Sequence, residues 1–294
     1  MSCELRWSQS VLATCLHAAL CRLERLYAVD AAVADQLGPP ADRLLQEASS
    51  LVDDPSELLV HLASLAAEYD SNREIAMRAL ARTRGFDAGN ERAVTCLAGA
   101  IGDLNAALQG VTPHLAADLE VRGRPLREQW EAYGPGLLRS VGRLTHENVV
   151  PEAASVVFVA PYAGGHGRAH LPTNRVLMEA VLYHPAPALP ETLRLGWLLS
   201  QLNIDLPMFS DMLPPGSLIQ VAQVAMAMAT LASAQELELA VLDRSSLELA
   251  LSTWRMGLPS HASEQLLGWW NAYDPQRDRW SVALAALASL LAEI

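Results

Sequence analysis

Three histidines, His166, His170 and His184, lie within 19 residues of one another, and imidazole suits both metal binding and acid–base catalysis near neutral pH. His166 and His170 have the i, i+4 spacing of a zincin metal pair, but Gly167 stands where the pair needs a glutamate. The surrounding glycines indicate a loop, in which that spacing no longer puts two rings on one face. We therefore predict hydrogen-bonded loop histidines, with no bound metal and no cofactor.

The run Gly164-Gly165-His166-Gly167 allows two interpretations. Its consecutive backbone N–H groups could form a nest for an anion, with Arg168 or Arg175 adding positive charge. Alternatively, the glycines form a tight turn between two antiparallel strands, which is the commoner use of glycine and the interpretation we favour. The run does not match GxGxxG, so the sequence has no dinucleotide-binding fingerprint.

Composition excludes several chemistries. All 21 basic residues are arginine, so the chain has no lysine for a Walker A loop, for a kinase or for a Schiff base. The sequence also lacks a GxSxG nucleophile elbow and any CxxC pair. No recognised catalytic motif is therefore complete in this chain.

Net charge indicates the kind of partner. The formal net charge is −12, with 51% apolar and 18% charged residues, which is the composition of a globular protein. Such an acidic chain is repelled by phosphate backbones and anionic lipids, so we expect no binding to nucleic acid or membranes. The four cysteines, Cys3, Cys15, Cys21 and Cys96, are typical of buried thiols in a reducing compartment, so we expect a cytoplasmic protein.

The elements that must position these residues are mainly helices. Apolar residues recur at spacings of three and four through most of residues 1–150, with loops at Gly38-Pro39-Pro40 and a helix end at Gly134-Pro135-Gly136. Leu218–Ala234 is the longest apolar stretch, and its glutamines and small residues favour a buried core helix over a bilayer span.

Strands are predicted only in the middle of the chain. The β-branched run Val156–Val159 and the segment Asn174–Leu182 predict a small, antiparallel sheet over residues 155–183. The predicted fold is therefore α+β and predominantly helical. We divide it into a helical N-terminal region, 1–120, and an α+β region, 121–294, and leave open that the two form one continuous domain.

Part of the chain resembles a family of uncharacterised bacterial proteins seen chiefly in planctomycetes. The resemblance covers about residues 120–210 and is carried by Leu126-Arg127-Glu128-Gln129-Trp130-Glu131, Gly134-Pro135-Gly136, Val156 through Gly164-Gly165, Ala169-His170, Asn174 and Glu179, and Leu195 through Leu202. It implies no particular activity. The order of elements is also similar to that of zincin metallopeptidases, but the helix at Leu195 has no histidine, which implies a non-catalytic relative.

Two functional hypotheses follow. The first is a non-catalytic binding or scaffold protein that uses a groove beside the 174–182 strand to bind a protein partner or a small molecule, or that self-associates. The second is a hydrolase, which could be metal-dependent, with His166 or His170 in its site and Glu179 or Glu128 as partner. The residues predicted to line the site are Tyr162, Gly164, Gly165, His166, His170, Asn174, Arg175 and Glu179.

Overall fold

The computed structural model describes residues 3–85, 91–259 and 261–294. Most of these residues are helical, and four strands form one small sheet, which confirms the helix-rich α+β fold. The strands are β1 (Glu4–Gln9), β2 (Ala153–Val159), β3 (Gly167–His170) and β4 (Arg175–Glu179). The helices are α1 (Val11–Leu23), α2 (Ala31–Leu51), α3 (Pro55–Leu65), α4 (Asn72–Arg84), α5 (Glu91–Val111), α6 (Leu115–Leu144), α7 (Glu191–Ser200), α8 (Pro207–Ser210), α9 (Leu218–Glu236), α10 (Arg244–Thr253), α11 (Ala262–Ala272) and α12 (Trp280–Leu291).

The sheet is mixed, so the prediction of an antiparallel sheet was wrong. Its strand order is β1-β2-β4-β3. β2 pairs in parallel with both β1 and β4, and only β3 pairs antiparallel with β4. The parallel pair of β2 and β4 follows from the path of the chain. The chain leaves β2 through the glycine-rich turn, forms the edge strand β3 and returns through a hairpin into β4, which lies between β2 and β3.

The sheet also includes β1, which the prediction of a sheet confined to residues 155–183 missed. Trp7 on β1 stacks on Phe158 of β2, with ring centroids 5.5 Å apart. Because β1 is a six-residue edge strand in which Glu4, Arg6 and Gln9 are exposed, it lacks the apolar run that marked β2. Its partner strand is also distant in sequence, so no local pattern indicated the pairing.

Two predicted breaks lie inside helices. α2 continues through Pro39 and Pro40, and α6 continues through Pro135, so the loop and the helix end predicted there were wrong. In α6, Gly134 accommodates an aromatic ring instead of ending the helix, because a Cβ at this position would lie 2.3 Å from the Trp130 ring. The domain boundary proposed at residue 120 falls within α6.

α9 forms the centre of the C-terminal helical layer and packs against α6, α7 and α12. In the described ranges, α5 and α9 are long and apolar enough to cross a membrane when judged by length and composition alone. In α9, 67% of the most apolar window is buried inside the fold, compared with 28% in α5. This burial fits the core helix predicted for Leu218–Ala234.

Candidate functional site

Glu179, at the end of β4, holds the glycine-rich turn in place. Its side chain is 1% exposed, and four backbone N–H groups of the turn donate hydrogen bonds to it. Tyr162 and Ala163 donate to Oε1 at 2.9 and 2.7 Å, and Gly165 and His166 donate to Oε2 at 2.6 and 3.0 Å. The turn is therefore an anion nest whose anion is the protein's own carboxylate.

The nest depends on glycine at two positions. Gly164 and Gly165 have φ values of 81° and 119°, which L side chains rarely adopt. A Cβ at Gly165 would also lie 2.5 Å from Pro185 and 2.8 Å from the Arg194 guanidinium. The turn connects β2 to β3, which run in opposite directions, as the favoured interpretation expects, but β4 lies between them, so the turn is not that of a hairpin.

His17 on α1 completes the coordination of Glu179. Its Nε2 lies 2.9 Å from Glu179 Oε1 and 3.4 Å from the sulfur of Cys21, and both partners are buried. Burial opposes charge on the imidazole, but Cys21 and Glu179 outweigh it and raise the pKa of His17 to about 10. Burial would likewise raise the pKa of Glu179, yet His17 and the backbone N–H groups lower it to about 2. The two side chains therefore form a buried ion pair.

His17, Cys21 and Glu179 are residue types that bind metal ions, and their ligand atoms lie within 4.8 Å of one another. The carboxylate, however, already accepts five hydrogen bonds, one from His17 and four from the turn. An ionised carboxylate offers about four acceptor sites, so Glu179 has no lone pair free for a metal. We therefore assign this cluster a role in stabilising the fold.

A cleft of about 780 Å³ opens on the other side of the turn, alongside the edge strand β3. Its walls come from α3, β3, α7 and α9 and from the residues that directly follow α1 and α10. Trp197 and Trp254 line it, and their rings stack with centroids 4.9 Å apart and an interplanar angle of 20°. These two rings and the side chains of Leu198 and Ala222 are almost fully buried. Val60, Leu171, Leu218 and Ile219 expose apolar surface in the cleft, against which an apolar ligand can pack.

One wall of the cleft carries a histidine pair. His170 Nε2 on β3 lies 2.8 Å from Nδ1 of His61 on α3. Burial lowers the pKa of both rings, and the neighbouring His61 helps to bring that of His170 to about 3. Both rings are therefore neutral at pH 7, and one N–H lies between them. The exposed Glu57 carboxylate is 3.8 Å from His61 Nε2.

Hydroxyl groups behind this pair extend the chain of hydrogen bonds. His170 Nδ1 lies 2.6 Å from the Thr173 hydroxyl, which lies 2.8 Å from the Ser64 hydroxyl. Arg175, which can only donate, contacts Ser64. One tautomer assignment gives every group in this chain a partner. In it, Arg175 donates to Ser64, Ser64 donates to Thr173, Thr173 donates to His170 Nδ1, and His170 Nε2–H donates to His61 Nδ1. His61 then directs its Nε2–H toward Glu57 and the cleft.

His166 and Arg168 lie near the turn end of the same cleft. Within the described residues, His166 Nε2 and Arg168 Nε are buried without a hydrogen-bond partner. Burial, together with the positive charges of His17 and Arg168, keeps the pKa of His166 well below its usual range, so this ring is neutral. Arg168 pairs with Glu24, whose other oxygen is 3.9 Å from His166 Nε2.

The predicted site residues separate into three groups. His166 and His170 line the cleft, whereas Glu179 and the backbone of Tyr162, Gly164 and Gly165 form the buried turn. The other two belong to the β3–β4 hairpin: Asn174 has left-handed φ of 51° and donates to the Ala153 carbonyl, and Arg175 contacts Ser64 and Glu68.

The position of the cleft differs from that of the predicted groove. β4 is an interior strand, so the open wall lies beside β3 and not beside the 174–182 segment. Sequence analysis missed the cleft residues His61, Glu24, Trp197 and Trp254. His61 and Trp197 lie on α3 and α7, whereas Glu24 and Trp254 lie directly after α1 and α10. None of the four belongs to the glycine-rich run or to a motif that signals chemistry.

Comparison of the chain with protein-family models, with curated proteins and with solved structures found no match in any of the three. The function is therefore inferred from the geometry of the cleft.

Proposed function

We propose that the protein binds a small organic molecule in the cleft beside β3. The observation that carries this proposal is the buried Nε2 of His166, on a residue that lines the cleft, for which the described part of the chain supplies no hydrogen-bond partner. Burying such an atom unpaired costs about 1–3 kcal/mol. A bound molecule that hydrogen-bonds to it would recover this free energy.

The size and surface of the cleft support a small-molecule ligand. A volume of about 780 Å³ lies within the range of roughly 300–1,000 Å³ typical of ligand pockets. Its lining combines partly exposed apolar side chains, Val60, Leu171, Leu218 and Ile219, with polar and charged residues that come from several elements. Such a site favours a ligand that has both an apolar body and hydrogen-bonding groups.

Binding is tested with Nile red, a neutral dye that fluoresces in apolar sites, and with a variant that fills the cleft. Ala169→Trp places a large ring on the half-buried edge strand β3 within the cleft lining. Gln9→Trp is the matched control, because it adds the same ring to an exposed position on the opposite edge strand, β1.

We expect saturable dye binding to the unmodified protein and to Gln9→Trp, and a loss of most of that binding in Ala169→Trp. Thermal unfolding of each variant shows whether it is folded. Equal dye binding by Ala169→Trp and Gln9→Trp, with both folded, would show that the cleft is not the binding site.

The His61–His170 pair supports a hydrolase as a second candidate function. His61 can direct a proton toward the cleft, and the neutral His170 behind it can adjust its tautomer, as acid–base catalysis requires. His61→Gln keeps a polar side chain in α3 but cannot act as an acid or base. If the protein hydrolyses p-nitrophenyl esters, we expect this variant to lose about 10²-fold or more of the rate while remaining folded.

A further inference from the structure

We infer that the turn end of the cleft binds the carboxylate group of an otherwise apolar ligand, and that the side chain of Glu24 occupies this place when no ligand is bound. This inference rests on the proposed binding function and names the chemical class of the ligand. The groups concerned, which we call the carboxylate end, are His166, Arg168, Glu24 and Arg255.

The hydrogen bonding of Arg168 shows an incomplete carboxylate site. Glu24 contacts Arg168 through Nη2 only, while Arg168 Nε remains buried and unpartnered by any described residue. A guanidinium binds a carboxylate most strongly through two parallel N–H groups, so Glu24 uses one half of the available pair. A ligand carboxylate could accept hydrogen bonds from both Nε and Nη2 of Arg168.

His166 provides the second orphaned nitrogen at the same place. Glu24 Oε2 stops 3.9 Å from His166 Nε2, beyond hydrogen-bond distance. The His166 side chain is 9% exposed, and its backbone N–H is fixed by Glu179, so the ring cannot move far to meet Glu24. A carboxylate that binds Arg168 through two oxygens could also accept a hydrogen bond from His166, in the neutral tautomer that carries its proton on Nε2.

Charge around His166 favours an anion. His17, Arg168 and Arg255 each act on its imidazole as positive charges, and Glu179, the negative charge that opposes them, is already paired within the turn. Glu24 is the carboxylate that balances Arg168. Because its side chain is 27% exposed, Glu24 can turn toward solvent when another carboxylate replaces it.

The opposite end of the cleft fixes the direction in which such a ligand lies. His170 is four residues beyond His166, which is about 13 Å along an extended strand. Asp54 and Glu57 line the cleft with His61 and His170, and they would repel a carboxylate. The ligand therefore places its carboxylate at His166 and extends its apolar body along β3 toward His170.

The test compares a matched pair of probes, 8-phenyloctanoate and its neutral amide, 8-phenyloctanamide, by displacement of Nile red. Glu24→Gln removes the competing charge but keeps the side-chain size, and Arg168→Gln removes the guanidinium. Glu74→Gln is the control, since it also neutralises a carboxylate that pairs with an arginine, Arg78, but lies outside the lining of the cleft.

We expect the unmodified protein to prefer the carboxylate, Glu24→Gln to strengthen that preference about tenfold, and Arg168→Gln to abolish it, in line with charge-assisted hydrogen bonds. Amide affinity should stay constant in both variants, and Glu74→Gln should leave the affinity ratio of the two probes within about twofold of the original. Equal affinity for the two probes, or an unchanged affinity ratio in Glu24→Gln, would overturn the inference. Saturable dye binding would in that case still support the proposed binding function of the cleft. Absence of dye binding to the unmodified protein would overturn both.

Discussion

Two polar clusters lie on either side of His166 and differ in how completely their hydrogen bonds are satisfied. In the turn cluster, formed by Glu179, His17 and the backbone of residues 162–166, the Glu179 carboxylate accepts five hydrogen bonds. In the cleft wall, formed by His61, His166, Arg168 and His170, two nitrogen atoms have no partner among the described residues. A saturated cluster stabilises a fold, whereas an incomplete one beside a cavity can bind something else.

The largest effect we expect is the loss of stability in Glu179→Gln. The amide can accept hydrogen bonds through one oxygen only, and its NH2 group would face the backbone donors of Gly165 and His166 or of Tyr162 and Ala163. It also leaves His17 as an uncompensated buried charge, so the free energy of unfolding should fall by about 3–5 kcal/mol.

Urea unfolding measures this loss, and Glu57→Gln on the cleft wall is the matched control. Glu57 is 56% exposed, so its substitution should change stability by less than about 0.5 kcal/mol. Similar losses in the two variants would contradict the distinction between a structural cluster and an open wall.

The next effect is a stability maximum near pH 6.5. On the acid side, His170 has a pKa of about 3 in the fold and 6.5 in its ordinary state, so the unfolded chain gains a proton first and stability falls from pH 6.5 downward. Glu179 adds to this loss as the pH falls from 4.5 through its folded pKa of about 2. Urea unfolding across this range should show two successive declines.

On the alkaline side, the turn cluster provides a decline that begins at pH 6.5, well below the pH at which the thiols of Cys3 and Cys15 contribute. The pKa of His17 is raised from 6.5 to about 10, so its stabilising charge is fully present below pH 6.5 and is lost as the pH rises from 6.5 to 10. His17→Asn should remove this decline. His170→Asn should reduce the slope of the acid decline between pH 6.5 and 4.5, to which His166 and His61 also contribute because their pKa values are lowered too. An alkaline decline that persists in His17→Asn would show that the ion pair with Glu179 does not stabilise the fold.

The smallest effect concerns the hydroxyl that orders the histidine pair. Thr173→Val removes the hydrogen bonds to His170 and Ser64 without changing the size of the side chain, and should lower the free energy of unfolding by about 1–2 kcal/mol. Thr112→Val is the control, because the Thr112 hydroxyl contacts only the Leu108 carbonyl of its own helix. Chemical denaturation should therefore distinguish the two variants.

The sequence was sufficient to predict the helix-rich fold and the β2 and β4 segments. Periodic apolar residues and β-branched runs carry that information locally. It was also sufficient to propose an anion nest at the glycine run. It could not show that Glu179, fourteen residues beyond Gly165, is the anion, because a buried carboxylate has no sequence pattern.

The other errors have physical causes of the same kind. A proline removes one helical hydrogen bond, and α2 tolerates Pro39 and Pro40 because Leu37, Ala41 and Leu44 remain packed in the core. His61 reaches His170 across 109 positions of sequence, so their pairing depends on the packing of α3 against β3. Such contacts arise only once the tertiary structure exists.

The pairing of β1 with β2 has a consequence for the order of folding. Glu4 pairs with Ala153, so about 150 residues separate two neighbouring strands of one sheet. At a synthesis rate of roughly 5–20 residues per second, β1 leaves the ribosome about 7–30 s before its partner. The α1 helix can begin packing with its neighbours in that interval, whereas β1 must remain unpaired. We therefore expect closure of the sheet to be a late step in folding, one that joins the beginning of the chain to its middle.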